Sequence, residues 1–472
     1  MTDQAASLPQ ASQPGLDVLL VDDEDCYDTP LRGLPLLGWI DALFIRILYL
    51  ARVWLNEPTR PALPLLAAYL ERAGFSVAAL SDLSQGLFKR RRLSQLLLRR
   101  PLVVGISTSA MKEPRTLERI AAQVRRESPS SCLVLGGFGA EFGPALRRLG
   151  DVVVTRYGEL ALVQLVQALR GGLDLDSVPG LTRGPDGVRL LAGRSSYEPG
   201  ERMLHPDWGV LGRRLRCCAV EASRGCRHNC SYCTFLGKGR QAYRQPADVV
   251  AELVEDVRRY GVRRIEFMDS SLTSEPGFIF EFLELLRRAE LPLVWRCFGR
   301  VDDFARQPAL AADMLRAGCQ QVFLGIESIH DQILVKMRKG YDRGLIEQGL
   351  AALDAARLPV HANFIIGFPG ETAQTVAETA AFISASHFRS VYLAALMVPR
   401  ILFAQARAEP ELFNHLRGDS PRNWSHDTMD YRQAWRLARR AAWRINLRQM
   451  YPLAFLPRAS VPECAPEATP PV

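Results

Sequence analysis

Short apolar runs alternate with amphipathic stretches along most of this 472-residue chain, and that alternation restricts the fold more than any other feature. Five runs come first, at 17–21, 76–79, 102–106, 132–135 and 151–154, separated by helix-period stretches such as 65–73, 116–126 and 160–169. Runs of four or five residues suit buried strands. Strands that alternate with helices pair in parallel, as a doubly wound sheet. Six further runs follow at 218–222, 264–268, 293–297, 321–324, 360–366 and 390–393, with helices expected at 246–259, 277–289, 309–317, 343–356 and 373–385. Six strand–helix units make an incomplete (β/α)6 barrel of the TIM type, whose chemistry belongs at the carboxyl ends of its strands. The expected division is a lead-in at 1–15, a first domain at 16–195, a linker at 196–215, the barrel at 216–395, a helical extension at 396–458 and a proline-rich, disordered tail at 459–472.

The first barrel strand runs into Gly225-Cys226-Arg227-His228-Asn229-Cys230-Ser231-Tyr232-Cys233. Three soft thiolates in one tight loop suit an iron–sulfur cluster or zinc. Zinc needs a fourth ligand, and His228 lies inside the loop, too near its neighbours to close a tetrahedron comfortably. A 4Fe–4S cluster on three thiolates keeps one iron open to a substrate.

The spacing Cys-x3-Cys-x-aromatic-Cys, with Tyr232 in the aromatic slot, resembles the signature of the radical S-adenosylmethionine (SAM) superfamily. The resemblance implies that Cys226, Cys230 and Cys233 hold the cluster and that the open iron chelates the amino and carboxylate groups of SAM. One electron then cleaves SAM to methionine and a 5′-deoxyadenosyl radical. Other strand ends carry the likeness further. Asp269 and Ser270 follow the second strand, where the superfamily meets the methionine amine, although the match is loose. Arg300 after the third strand suits a carboxylate. Gly325-Ile326-Glu327-Ser328, with Lys339-Gly340 beyond it, resembles the motif beside the ribose and amino acid. Ile366-Gly367 in Asn363–Thr372 resembles the fifth-strand motif that packs the adenine. Glu327 and Glu371 also have a plainer reading, as acids at helix N-termini. Cys297 and Cys319 read as core residues, and one of Cys217 and Cys218 as buried.

In the first domain the strand ends are small or polar: Ser107-Thr108, Gly136-Gly137 and Tyr157-Gly158. No Gly-x-Gly-x-x-Gly follows the first strand, which weighs against a dinucleotide. The segment 64–75, the paired glycines, Val178-Pro179-Gly180-Leu181 and the turn at 184–187 resemble the Rossmann-like cobalamin-binding domain that precedes many radical SAM barrels. An empty or redesigned domain of the same fold is the alternative. The resemblance implies that Ser107, Thr108, Gly136, Gly137, Tyr157 and Gly158 cradle the corrin. No histidine precedes His205, so it also implies cobalt without a protein imidazole beneath it.

Together the two domains resemble a cobalamin-dependent radical SAM enzyme. The resemblance implies a C-methyltransferase acting on an unactivated carbon of a small-molecule or natural-product intermediate. One SAM methylates reduced cobalamin, a second yields the radical, and the substrate radical takes the methyl group from methylcobalamin. Oxidative cyclisation or rearrangement with the same cofactors is the alternative, and a cofactor-based sensor without turnover is a third. Methylthiolation needs another cysteine triad, and the first domain has only Cys26 and Cys132. The implied partners are a small-molecule substrate and an electron donor such as flavodoxin or ferredoxin.

Composition enters at three points. The net charge of +8 is modest for the length, and the basic runs at 89–92 and 99–100 read as solvated helix faces, so no nucleic-acid partner is expected. Ten cysteines without a secretory pattern fit a reducing cytoplasm. The apolar segment 34–55 is broken by Asp41, Arg46 and Arg52, which argues against a transmembrane span. It reads as a buried or interdomain helix, a lip over the active site or a membrane-surface contact. Near the end, Trp424-Ser425-His426-Asp427-Thr428-Met429 precedes a long helix expected from 430 to about 450. Asp427 or Thr428 is the expected cap, and His426 either packs there or touches substrate.

Overall fold

The computed structural model describes residues 15–23, 59–83, 89–193 and 203–449, apart from 110, 112–113, 143, 185, 213–214, 216, 236, 399–401, 410–414, 419 and 421. The lead-in, the apolar segment 34–55, Cys26 and the tail at 459–472 lie outside the described residues.

Five strands form the first sheet in parallel: β1 (Val18–Asp22), β2 (Val77–Leu80), β3 (Val103–Ser107), β4 (Cys132–Gly136) and β5 (Val152–Thr155). Their order is β2-β1-β3-β4-β5, so the winding reverses between β1 and β3, where Asp22 stands opposite Ser107. Each strand is a continuous apolar run because both faces are covered. Val18 and Leu20 belong to one core, Leu19 and Val21 to another. The sheet is wider than the sequence runs indicated. A hairpin of β6 (Leu181–Arg183) and β7 (Arg189–Ala192), turning through the Gly184–Gly187 segment, adds β7 parallel to β5.

The second sheet begins at β8 (Cys217–Val220). Between it and the next barrel strand stands an antiparallel hairpin, β9 (Ser223–Cys226) and β10 (Arg240–Tyr243). The barrel then continues with β11 (Arg264–Phe267), β12 (Val294–Gly299), β13 (Cys319–Glu327), β14 (Val360–Ile366) and β15 (Ser390–Ala395), all parallel in the order β15-β14-β13-β12-β11-β8. Burial alternates strictly along β12 and β14. The fully buried side meets the helices: Phe267 and Trp295 pack edge-on against Phe282 of the helix Pro276–Arg288. The half-buried side, with Phe298, Phe323, His361 and Asn363, faces the lumen.

Local signals set the helix ends. Pro246 and Pro276 occupy first turns, where a missing N–H costs nothing. Gly261 ends the helix Pro246–Tyr260 at φ +69°. Thr372 and Thr375 close a capping box ahead of Ala373–Ala385.

The two domains share one apolar core. The connection between them is anchored by Trp208, fully buried, whose indole N–H donates to Asp256 at 3.0 Å. Thr59 of the first domain bridges β8, exchanging backbone hydrogen bonds with Cys217 and Ala219. Beyond the barrel, β16 (His415–Leu416), β17 (Trp424–His426) and β18 (Met429–Asp430) form a small antiparallel sheet leading into the helix Tyr431–Gln449. That helix is capped by Asp430, not by Asp427 or Thr428. Asp430 Oδ1 accepts from Gln433 N at 2.7 Å, and Asp430 N donates back to Gln433 Oε1 at 2.9 Å. Among the described residues, no helix is long and apolar enough to cross a membrane.

Candidate active site

Cys226 ends β9, and Cys230 and Cys233 follow within the same loop. All three are free thiols; Cys230 is buried and the others half-buried. Main-chain bonds set the loop shape. Cys226 N donates to Gly237 O and Cys233 N to Cys230 O, while Ser231 is held to the segment after β13 through Met337 O and Lys336 O. Gly225, at φ +82°, lies so close to the Arg240 carbonyl that no side chain fits there. Among the described residues no three His, Cys, Asp or Glu side chains converge as they would on one metal ion. A cubane distributes its thiolates over separate irons, so such convergence is not required of them.

Asp269 lies beneath this loop, not in it. Its carboxylate accepts from Ala222 N at 3.1 Å and from Ser223 Oγ at 2.5 Å. Burial pushes its pKa up to about 7 against those hydrogen bonds. Ser270 Oγ donates to Gly225 O at 2.7 Å. Both residues were expected at the SAM amine. Their polar atoms are instead taken up in holding β9 and Gly225, which makes them supports of the cysteine loop. His228 is kept neutral, its pKa lowered to about 4 by burial and then by Arg300.

Over the barrel mouth stands a second cluster. Lys339 Nζ donates to Gly325 O at 2.7 Å and approaches the Tyr232 hydroxyl at 3.3 Å. Burial opposes its charge, but Tyr341, Glu327 and Cys230 outweigh burial and raise its pKa. Glu327 ends β13 with φ +68° and is half-buried; desolvation raises its pKa, while Lys339 and the Tyr232 hydroxyl oppose that. A methyl group at Gly325 would stand 2.5 Å from Glu327 Oε1, so only glycine leaves room for this carboxyl. Glu327 is therefore a strand-end acid facing the cysteine loop, not a helix N-terminal one. Ser328 is buried beside it, with Oγ accepting from His330 N. Arg300 is spoken for: Nε binds Asp302 at 2.9 Å and Nη2 binds Lys339 O at 2.5 Å. The pairing expected between Arg300 and a ligand carboxylate is thus made with its own chain. The sequence motif named Lys339; nothing in it showed that Lys339 and Tyr341 would converge on Gly325.

At β14 the chain turns through Ile366-Gly367, with Gly367 at φ +100°. The Glu371 carboxylate accepts the Gly367 N–H. Burial pushes the Glu371 pKa up to about 8, against bonds from Gly367 and Phe368. This corrects its reading as a helix N-terminal acid: Thr372 is the cap, and Glu371 braces the loop. The C-terminal sheet closes on the same loop. Thr428 Oγ1 donates to Glu371 O, and Trp424 donates to Leu396 O at 2.9 Å. His426 packs, its ring parallel to Trp424 and its Nδ1 3.1 Å from Thr428 Oγ1.

In the first domain the loops after β3 and β4 bind each other. Thr108, wholly buried, donates its N–H and hydroxyl to Gly136 O and accepts from Ala140 N at 2.7 Å. A side chain at Gly137 would strike Ser109. Thr108 and Gly137 therefore shape this edge through contacts within the chain. Ser107, Gly136, Tyr157 and Gly158 line the carboxyl edge itself, with no backbone or side chain nearer than 3.9 Å to a methyl group placed on Gly136.

The radical SAM superfamily sequence model matches residues 220–383, spanning β8's last residue, the cysteine loop and β14. The B12 binding domain model matches residues 50–166. Residues 220–383 thus form a domain of the radical SAM superfamily, preceded by a B12 binding domain at 50–166. Over 302 residues it is 30% identical to an uncharacterized methyltransferase of Pyrococcus horikoshii, covering 60% of this chain and 64% of that one. Over 339 residues it is 29% identical to an anaerobic magnesium-protoporphyrin IX monomethyl ester cyclase of Rubrivivax gelatinosus, covering 66% of this chain and 60% of that one. The chain thus spans less than two thirds of either relative. The fold is shared with a radical SAM methyltransferase, TsrM, from Kitasatospora setae: TM-score 0.61, 20% identity, 83% of this chain and 76% of that one.

Radical SAM and B12-binding domains bring a 4Fe–4S cluster, SAM and cobalamin. The residues fit them. Three free thiols share one loop beside the buried cation of Lys339, which offsets thiolate charge. Gly325 leaves room for the Glu327 carboxyl and Gly367 for Trp424 at two adjacent strand ends, and the first sheet presents an edge of small residues without any imidazole.

Proposed function

We propose that this radical SAM enzyme is a cobalamin-dependent C-methyltransferase that acts on an unactivated carbon of a small molecule. When bound, the cluster and SAM supply a hydrogen-abstracting radical and cobalamin supplies a methyl group. The net change at the substrate is C–H to C–CH3. Two SAM molecules leave, one as S-adenosylhomocysteine and one as methionine plus 5′-deoxyadenosine, and an external donor provides two reducing electrons per turnover.

One observation carries the reading: the βα turn of the first sheet, Tyr157–Glu159, packs directly on Arg224 of the strand that leads to Cys226. A cofactor at the carboxyl edge of the first sheet and a cluster in the cysteine loop would therefore open onto shared space. The chain's own part in the chemistry is placement. Cys226, Cys230 and Cys233 hold the cluster. Glu327, Lys339 and Tyr232 form the polar wall beside the open iron. Ile366 and Gly367, braced by Glu371 and Trp424, present backbone to the adenine. Ser107, Gly136, Tyr157 and Gly158 border the corrin. In the lumen, Phe298 and Phe323 stack at 5.1 Å between centroids, and His361 and Asn363 bond at 3.1 Å. That surface suits an apolar, planar substrate with one polar edge.

The likeness to the cyclase favours a second reading, oxidative ring closure without methyl transfer. Anaerobic turnover with methyl-deuterated SAM separates the two. Methylation gives a product heavier by the labelled methyl group and equimolar S-adenosylhomocysteine and 5′-deoxyadenosine. Ring closure gives no labelled product and no S-adenosylhomocysteine.

A further inference from the structure

Arg224 lies two residues before Cys226 on β9, yet its charge is spent on the other domain. Nη2 binds Glu159 Oε1 at 2.5 Å, with only 4% and 6% of the two side chains exposed. Glu221 Oε2 accepts from Nε at 3.2 Å and from Nη2 at 3.0 Å. The guanidinium lies 4.4 Å from the centre of the Tyr157 ring. Glu159 opens the helix that follows β5, and Tyr157 stands at the end of that strand. One planar cation thus ties the strand carrying the first cluster cysteine to the turn where ligands of a doubly wound sheet sit.

Stability alone does not account for this arrangement. A buried ion pair is commonly no better than apolar side chains of equal volume. Glu159 Oε2 is also buried and finds no partner among the described residues, which costs about 1–3 kcal/mol. What the pair supplies is geometry: a guanidinium held between Glu159 and Glu221 and stacked on Tyr157 permits fewer orientations than a greasy contact, which would permit sliding. The shared apolar core holds the domains together, and Arg224 fixes how the Tyr157–Glu159 turn sits on β9.

We propose that Arg224 is a positioning residue which, through Glu159 and Tyr157, fixes where cobalamin on the first sheet stands relative to the cluster in the cysteine loop. The inference rests on the proposed use of both cofactors. The test uses full-length protein loaded anaerobically with cluster and hydroxocobalamin and reduced with sodium dithionite, which takes cobalt to cob(II)alamin and the cluster to its 1+ state, so that both centres are paramagnetic. Pulsed dipolar electron paramagnetic resonance then gives the cobalt–cluster distance distribution for wild type, Glu159→Gln and Arg224→Lys. Glu159→Gln removes charge far along the chain from the cysteines and keeps the side-chain shape, so it remains informative even where Arg224→Lys loads poorly. The expected result is wild-type iron and corrinoid content with a distribution about twofold broader, because the turn bordering the corrin loses the contact that oriented it on β9. An unchanged distribution in loaded Glu159→Gln overturns the inference, as does loss of corrinoid with the cluster intact, which would make Glu159 a local support of its own domain. A wild-type protein that takes up no corrinoid defeats the proposed function instead.

Discussion

Replacing Gly367 by alanine probes the loop that the C-terminal sheet closes on. At φ +100° a side chain is strained by about 1–3 kcal/mol. The added methyl group would stand 2.5 Å from Trp424 Cη2 and 2.8 Å from Ala434 Cβ. Ordinary carbon contacts need about 3.5–4.0 Å, so Trp424 must retreat by roughly an ångström. It is buried and held by its bond to Leu396 O, and loss of that bond costs about 1–3 kcal/mol. The sum is about 2–6 kcal/mol, divided between the fold and the backbone offered to SAM. The assay is calorimetric SAM binding to cluster-loaded protein, with a urea midpoint beside it. Gly367→Ala should weaken SAM at least tenfold while iron content stays at the wild-type level, since the cysteine loop is untouched. Trp424→Ala in the same background should recover the Trp424 part of the loss and leave the backbone strain and the Ala434 contact. Wild-type SAM affinity in Gly367→Ala, or no recovery in the double variant, would refute the reasoning.

Two further outcomes follow from buried carboxyls. Burial lifts Glu371 from its ordinary value of 4.5 to about 8, so the folded state holds a proton that the unfolded state has released. Stability from this group is complete below about pH 4.5 and is lost as pH rises to about 8, by at most about 1.4 kcal/mol per pH unit. Glu371→Gln should flatten that fall in urea midpoints; an unchanged slope contradicts the protonated state. Asp269→Ala strands the Ala222 N–H and the Ser223 hydroxyl, at about 1–3 kcal/mol each. Iron retained after desalting should drop severalfold while 5′-deoxyadenosine formed per cluster stays near wild type; a lower rate per cluster at full iron content would mean that Asp269 meets SAM after all.

Strand existence was legible because the runs around Val18, Val103, Val134 and Val360 are apolar on both faces or alternate cleanly. The cysteine spacing was legible because loop chemistry is local. Hairpins were not: Leu181–Arg183 with Arg189–Ala192, and Ser223–Cys226 with Arg240–Tyr243, are short and polar and acquire meaning only from the sheets they join. Contacts with distant partners were not legible for the same reason. Asp269, Thr108 and Arg300 sit at the expected strand ends, and each also bonds to its own chain. Glu371 precedes a helix, as its sequence position indicated, but the Gly367 N–H claims its carboxylate. Nothing near Arg224 in the sequence marked Glu159 as its partner.

The account depends most on Cys226, Cys230 and Cys233 carrying a cluster that cleaves SAM. Anaerobically reconstituted wild type and the variant with all three cysteines changed to alanine should be compared for bound iron and for 5′-deoxyadenosine formed under reduction. Wild type should bind iron and form 5′-deoxyadenosine, and the variant should do neither. Equal iron and equal 5′-deoxyadenosine in the two proteins would contradict the account.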